Sequence, residues 1–204
     1  MSTSVIYEQS QLHTLLKAHT GDLHRQLDSH YSISILMSAN LSEKSYASVL
    51  LTMLCWYRAI GNALVTKLNL ARDLPFYEAK DLLIEKDLMA LSVCPKALIN
   101  SPANALAIPA KSSLFYLGML YVVEGSALGG MVLGPRVAKQ LGRGDVTAFY
   151  QCYGKNKTRN FAQTLNYITR QINENDVPEE AMDEVLSGAA FAFTSLLQVI
   201  NDNQ

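Results

Sequence analysis

The sequence predicts an all-α, multi-helical protein built as a single domain. Three observations carry that prediction. Apolar residues recur every three or four positions through each long segment, no segment alternates apolar and polar residues as a half-buried strand does, and neither an internal repeat nor a low-complexity linker divides the chain. With 204 residues, 49% of them hydrophobic, the chain can build one large core and needs no second domain. Within that domain, spanning residues 1–204, residues 1–9 are expected to be disordered.

The elements follow in order. Leu12, Leu15, Leu16, Leu23 and Leu27 recur at helical spacing and place a helix from Gln11 to about Ser29. In "SANLSEKSY", Ser42 is an N-cap ahead of Glu43 and Lys44, and the amphipathic run behind it extends through Trp56 to about Asn69. Pro75 turns the chain, and Leu82, Leu83, Leu88 and Leu91 mark a shorter helix. The proline-punctuated stretch "CPKALINSPANALAIP" reads as irregular, with one short helical turn at most. A long apolar helix starts near Lys111 and runs to Leu141, where "GRGD" stops it. Another spans about Val146 to Asn173, irregular around Gly154. Pro178, Glu179 and Glu180 open the last helix, which turns Val185, Ala189, Phe193, Leu196 and Leu197 inward. The total is about six to eight helices.

Composition narrows the function. Lysine and arginine number 17 against 18 acids, so no basic field points to nucleic acid or to an anionic membrane surface. The three cysteines, Cys55, Cys94 and Cys152, are too widely spaced for a C-x-x-C metal pattern and make no disulfide framework, which favours a reducing cytoplasm. The N-terminus has no basic segment followed by an apolar one, so no secretory signal is expected. The apolar run over 114–123 ends at Glu124, short of the roughly 18 uninterrupted apolar residues of a membrane span. A cytoplasmic monomer is the expectation.

All four histidines, His13, His19, His24 and His30, fall in the first 30 residues. The plain reading is a hydrophilic first helix. His24 has more specific company: Thr20 and Asp28 lie one turn away on either side, and Lys17 lies two turns back and only about 20° round the helix. An imidazole that ligates a metal donates its other N–H to an acceptor, and a carboxylate at i+4 supplies one. Lys17, about 10 Å along the axis, suits an anionic group at the edge of a large ligand. A hydrolytic zinc site fits poorly, since no H-E-x-x-H or equivalent cluster accompanies His24. A single histidine suits a metal whose other positions are filled by a cofactor, and that description fits heme.

The stretch "YVVEGSALGGMVLGP", residues 121–135, carries Gly125, Gly129, Gly130 and Gly134 inside an otherwise buried helix, each costing about 1 kcal/mol against alanine. Gly125, Gly129 and Gly130 cluster on one face and bare the backbone there, to a second helix or to a flat ligand. Gly134-Pro135 adds an expected kink.

Taken together, these segments resemble the bacterial heme oxygenases. "TGDLHRQLD" (20–28) is similar to the family's T-x-x-x-H-x-x-L-D proximal segment and "LYVVEGSALGG" (120–130) to its L-Y-V-x-E-G-S-x-L-G-G distal helix. "AKDLLIEKDLMAL" (79–91) and "FYQCYG" (149–154) resemble two further family segments, R-x-x-L-x-x-D-L-x-x-L and F-[FY]-x-x-Y-G, in order along the chain.

The resemblance implies a fold with heme between a proximal N-terminal helix and a kinked, glycine-rich distal helix. It implies an oxidoreductase that uses O₂ and electrons from an external donor, a ferredoxin- or flavin-type reductase or ascorbate, to convert heme to biliverdin, CO and iron, with a biliverdin acceptor downstream. Carried over by position, His24 is the iron ligand, Asp28 stands behind it, and Thr20 lies in the same register. Lys17 and Tyr121 match propionate contacts. Gly125, Ser126 and Gly129 match the catalytic stretch over the iron, with Gly130 beside them. Gly134-Pro135 displaces a basic residue of that helix and leaves Arg136 as the candidate in its place. A heme carrier with the same fold and little turnover is the alternative implied by the same residues.

Overall fold

The computed structural model describes residues 5–94 and 106–202. Those residues form α1 (Gln9–Ser29), α2 (Tyr31–Ser34), the 3₁₀ turn η1 (Ile35–Met37), α3 (Glu43–Lys67), α4 (Leu70–Asp73), α5 (Lys80–Ala90), α6 (Ser113–Leu141), α7 (Ala148–Gln151), η2 (Gly154–Asn156), α8 (Lys157–Asn173) and α9 (Pro178–Asp202). No strand occurs among the described residues. Most of the irregular stretch expected over 94–109 lies outside them.

Local chemistry sets the boundaries. Ser42 caps α3 by accepting the Ser45 amide at 3.1 Å, and the Ser45 hydroxyl accepts the Ser42 amide at 3.0 Å, a reciprocal arrangement that satisfies two otherwise unpaired donors. Ser112 caps α6, and Gly142 ends it with φ at +65°, a left-handed turn that glycine adopts freely. Between α7 and α8 the chain turns through Tyr153 and Gly154, both at positive φ, so the helix expected from Val146 to Asn173 is three pieces. Within the terminal stretch expected to be disordered, the Tyr7 amide donates to the Asn173 side chain at 2.9 Å.

The core is organised by α6 and α9, which pass at very short range. A Cβ on Gly118 would stand 1.9 Å from the Val185 carbonyl oxygen, and one on Gly188 would stand 1.8 Å from that of Phe115. Only glycine at both positions permits this crossing. Trp56 of α3 is buried against the pair and donates its indole N–H to Ser195 of α9 at 2.9 Å. By length and composition alone α3, α6 and α9 are each apolar enough to cross a membrane, unlike the count of uninterrupted apolar residues; in the fold, α6 buries 61% of its most apolar window against the protein.

The arrangement positions two helices for function. Both α1 and α6 pack on α8 and α9, which form a common floor beneath them. α1 runs in the same direction as α9, since Tyr7 is tied to Asn173 near one end and His30 pairs with Asn201 near the other. α6 continues through the exposed Pro135 to Leu141.

Candidate functional site

Helix α1 divides its faces by sequence. Leu12, Leu16 and Thr20 are buried, whereas Lys17, His24 and Asp28 are exposed and His13 is half-buried. Thr20, expected in the ligand-facing stripe, turns into the core and gives its hydroxyl proton to the Leu16 carbonyl at 2.8 Å. It marks the inner edge of the stripe.

His24 Nδ1 lies 2.9 Å from Asp28 Oδ2, with the two side chains 58% and 63% exposed. A carboxylate at that distance holds the Nδ1–H tautomer and leaves the Nε2 lone pair outward, the arrangement a metal-ligating imidazole needs. The imidazole also rests against Phe193 of α9, ring centres 5.5 Å apart. Among the described residues no group of three or more His, Cys, Asp and Glu side chains could hold a metal ion, so a metal on His24 would bring other ligands with it.

On α6, Tyr121, Gly125 and Gly129 succeed one another at one turn per step. A Cβ at Gly129 would meet nothing within 4 Å, and one at Gly125 would touch only the Phe161 ring edge, at 3.5 and 3.9 Å. Phe161 of α8, Tyr121 and His13 meet as three rings, with centres 5.7 Å apart for His13 and Phe161, 6.3 Å for His13 and Tyr121, and 5.8 Å for Tyr121 and Phe161. This cluster joins α1 to α6 through side chains. Burial pushes the Tyr121 phenol up to about 12, so it keeps its proton at neutral pH. Burial first, and then the Lys17 ammonium, hold His13 below its ordinary value, so its ring is neutral.

Other expected site residues turn elsewhere. Gly130, expected in the cofactor set, faces α7: its Cβ would lie 2.6 Å from the Tyr150 carbonyl oxygen. Gly134 meets the same residue, with a Cβ placed 3.0 Å from that of Tyr150. The glycine stretch therefore serves two neighbours, open space on one side and a close helix crossing on the other. Arg136 reaches to the Met37 carbonyl of η1, tying the far end of α6 to the segment after α1. Ser126 points to α3: its hydroxyl accepts the Tyr57 O–H at 2.8 Å and donates to the Val123 carbonyl at 2.7 Å.

The sequence reading missed a buried ionic group directly beside the glycines. Lys80 Nζ lies 2.7 Å from Glu124 Oε1, with the side chains 2% and 0% exposed, and it also donates to the Tyr153 hydroxyl and the Glu78 carbonyl. Tyr153 donates in turn to Glu124 at 3.1 Å. The signal was a single glutamate inside an apolar run; its partner, 44 residues back, has no local signature. Asp87, likewise unflagged, accepts the Ala148 and Phe149 amides at 2.6 and 2.9 Å and anchors α7. Two cavities, of about 610 and 370 Å³, lie against the 73–78 segment, and neither is lined by His24, Gly125 or Gly129.

The sequence model of the heme oxygenase family matches residues 10–202. Among solved structures, the chain is similar to a heme oxygenase from Neisseria meningitidis, described in its NO- and CO-bound forms, with 21% identity and a TM-score of 0.72 over 94% of this chain and 91% of that one. It is also similar to a heme oxygenase from Leptospira interrogans, with 19% identity and a TM-score of 0.70 over 94% of this chain and 98% of that one. At such identities the likeness speaks to the fold alone. Among curated protein sequences, none matches the chain.

Proposed function

The chain belongs to the heme oxygenase family, and from that premise we propose that it is a cytoplasmic enzyme degrading heme to biliverdin, CO and iron with O₂ and electrons from an external donor. The reading is supported by the presence in one fold of an exposed, carboxylate-held His24 on α1 and of bare backbone at Gly129 on α6, two helices that both pack on α8 and α9. A flat porphyrin suits these residues: one free imidazole nitrogen, one open glycine face and a closed aromatic end at His13, Tyr121 and Phe161.

Heme, when bound, supplies the iron and the ring that is itself opened. Each residue then has a separate task. His24 Nε2 would hold the iron, with Asp28 retaining the Nδ1 proton so that the imidazole stays oriented. Gly129 would leave α6 free of side chain toward the bound ring, and Gly125, backed by Phe161, would let it approach the backbone closely. Lys17, exposed and without an ion pair among the described residues, is a cation for a propionate. Beside Gly125, Tyr57 and Ser126 form a hydroxyl pair; burial raises the Tyr57 phenol far above its ordinary range, so it holds its proton and can order water there.

The decisive experiment reconstitutes the protein with hemin, then supplies ascorbate or a reduced ferredoxin with an iron chelator. Loss of the Soret band with growth of a broad red absorption is expected. A Soret band that survives repeated reduction in air would leave a heme carrier.

A further inference from the structure

We propose that His13 is a carboxylate-binding residue, seating one propionate of heme together with Lys17 and Tyr121 at the closed end of the space between α1 and α6. The proposal rests on the heme reading above and adds to it a residue that neither the H-x-x-L-D segment nor the glycine stretch contains.

Three observations place His13 there. Its ring meets both Tyr121 and Phe161, so it stands where α1 and α6 come together through side chains. Tyr121 lies one turn before Gly125, which itself looks onto the Phe161 edge, so the three-ring cluster ends the same face that Gly125 and Gly129 leave bare. Lys17 follows His13 by one helical turn and is close enough to disfavour a proton on its imidazole.

The polar atoms at this end are unspent. Among the described residues the His13 ring nitrogens and the Tyr121 hydroxyl have no hydrogen-bond partner, and Lys17 has no carboxylate. A half-buried histidine, a largely buried phenol and a lysine without partners form a donor set: a neutral imidazole offers one N–H, the phenol one O–H and the ammonium three. An anion accepts from all of them, and hydrogen bonds from such donors to a carboxylate are of the strong, charge-assisted kind. A flat ligand whose body is apolar and whose edge carries carboxylates matches an aromatic wall with donors at its rim. Besides packing, His13 thereby reads the orientation of the ligand, because only a carboxylate-bearing edge satisfies it.

The test titrates wild-type protein, His13→Phe and His13→Gln with hemin and with hemin dimethyl ester, whose carboxylates are masked, and follows the Soret band. His13→Phe keeps the ring cluster and removes the donor; His13→Gln keeps a donor and removes the ring. The expected result is hemin binding about ten-fold weaker in His13→Phe, near wild type in His13→Gln, and ester binding equal in wild type and His13→Phe. Equal hemin affinity in wild type and His13→Phe overturns the proposal, as does a loss shared by hemin and its ester. Failure of the wild-type protein to bind either porphyrin would instead overturn the heme reading itself.

Discussion

Gly129 and Gly130 are adjacent in α6 and face opposite surroundings: a methyl group on the first would meet nothing within 4 Å, while one on the second would press to 2.6 Å on the Tyr150 carbonyl oxygen. The two positions share a helix propensity and differ only in tertiary context. Gly129→Ala is therefore expected to stabilise the ligand-free protein, by up to about 1 kcal/mol. Gly130→Ala should destabilise it by about 1–3 kcal/mol, because the obstruction is backbone and cannot rotate away. Urea midpoints of the two variants at one pH decide the matter, and equal midpoints would contradict the assigned faces.

The same open face makes a binding prediction. Gly129→Leu fills the clearance over the proposed heme without touching the core, so folding should survive and hemin binding or turnover should not. Circular dichroism checks the first and Soret titration with ascorbate turnover the second. A variant that turns over hemin normally would remove the reason for glycine at this position.

On α1, His24 and Asp28, 2.9 Å apart, take the proposed roles of ligand and orienter. His24→Ala should lose the axial ligand field in the ferric heme spectrum. Asp28→Ala should retain the ligand yet bind heme about ten-fold more weakly, the low end for a supporting residue because both side chains are more than half exposed. Absorption and electron paramagnetic resonance spectra of the reconstituted variants separate the two effects.

Lys80 and Glu124 are buried together, and the second carboxylate oxygen of Glu124 has no partner among the described residues. Lys80→Met leaves a bare charge in the core next to Gly125 and should cost about 3–5 kcal/mol. Adding Glu124→Gln to that variant removes the uncompensated charge, so the double variant is expected to recover most of the loss. The two urea midpoints test this directly.

What the sequence reveals and what it hides separate along a physical line. α3 was legible because its cap at Ser42 and its apolar period are local, and so was the stop of α6 at Gly142. The His24–Asp28 pair was legible for the same reason, an i,i+4 relation within one helix. Gly118 and Gly188 went unread because each has meaning only against the other helix. Thr20 lies within about one residue's rotation of the exposed stripe, too little for periodicity to assign its side. Gly130, Gly134, Ser126 and Arg136 sat in the right motif, but their partners, Tyr150, Tyr57 and Met37, come from elements distant in sequence.

Asp87 supplies a prediction that runs against ordinary acid denaturation. Its carboxylate is wholly buried, and burial pushes its pKa up to about 6 although the Phe149 and Ala148 amides pull the other way. The folded protein therefore binds more protons than the unfolded chain between about pH 4 and 6. This contribution is fully present below the unfolded value and is lost as pH rises through the folded one. Asp87→Asn abolishes the titration and, by offering one acceptor to two amides, should lower stability by about 1–3 kcal/mol at pH 7. As pH falls from 7 to 5, wild type should gain roughly a further 1 kcal/mol over that variant. Urea titrations of both proteins at pH 7, 6 and 5 measure the gap, and one that stays constant would place the Asp87 pKa at or below its unfolded value, with the paired amides at least balancing burial.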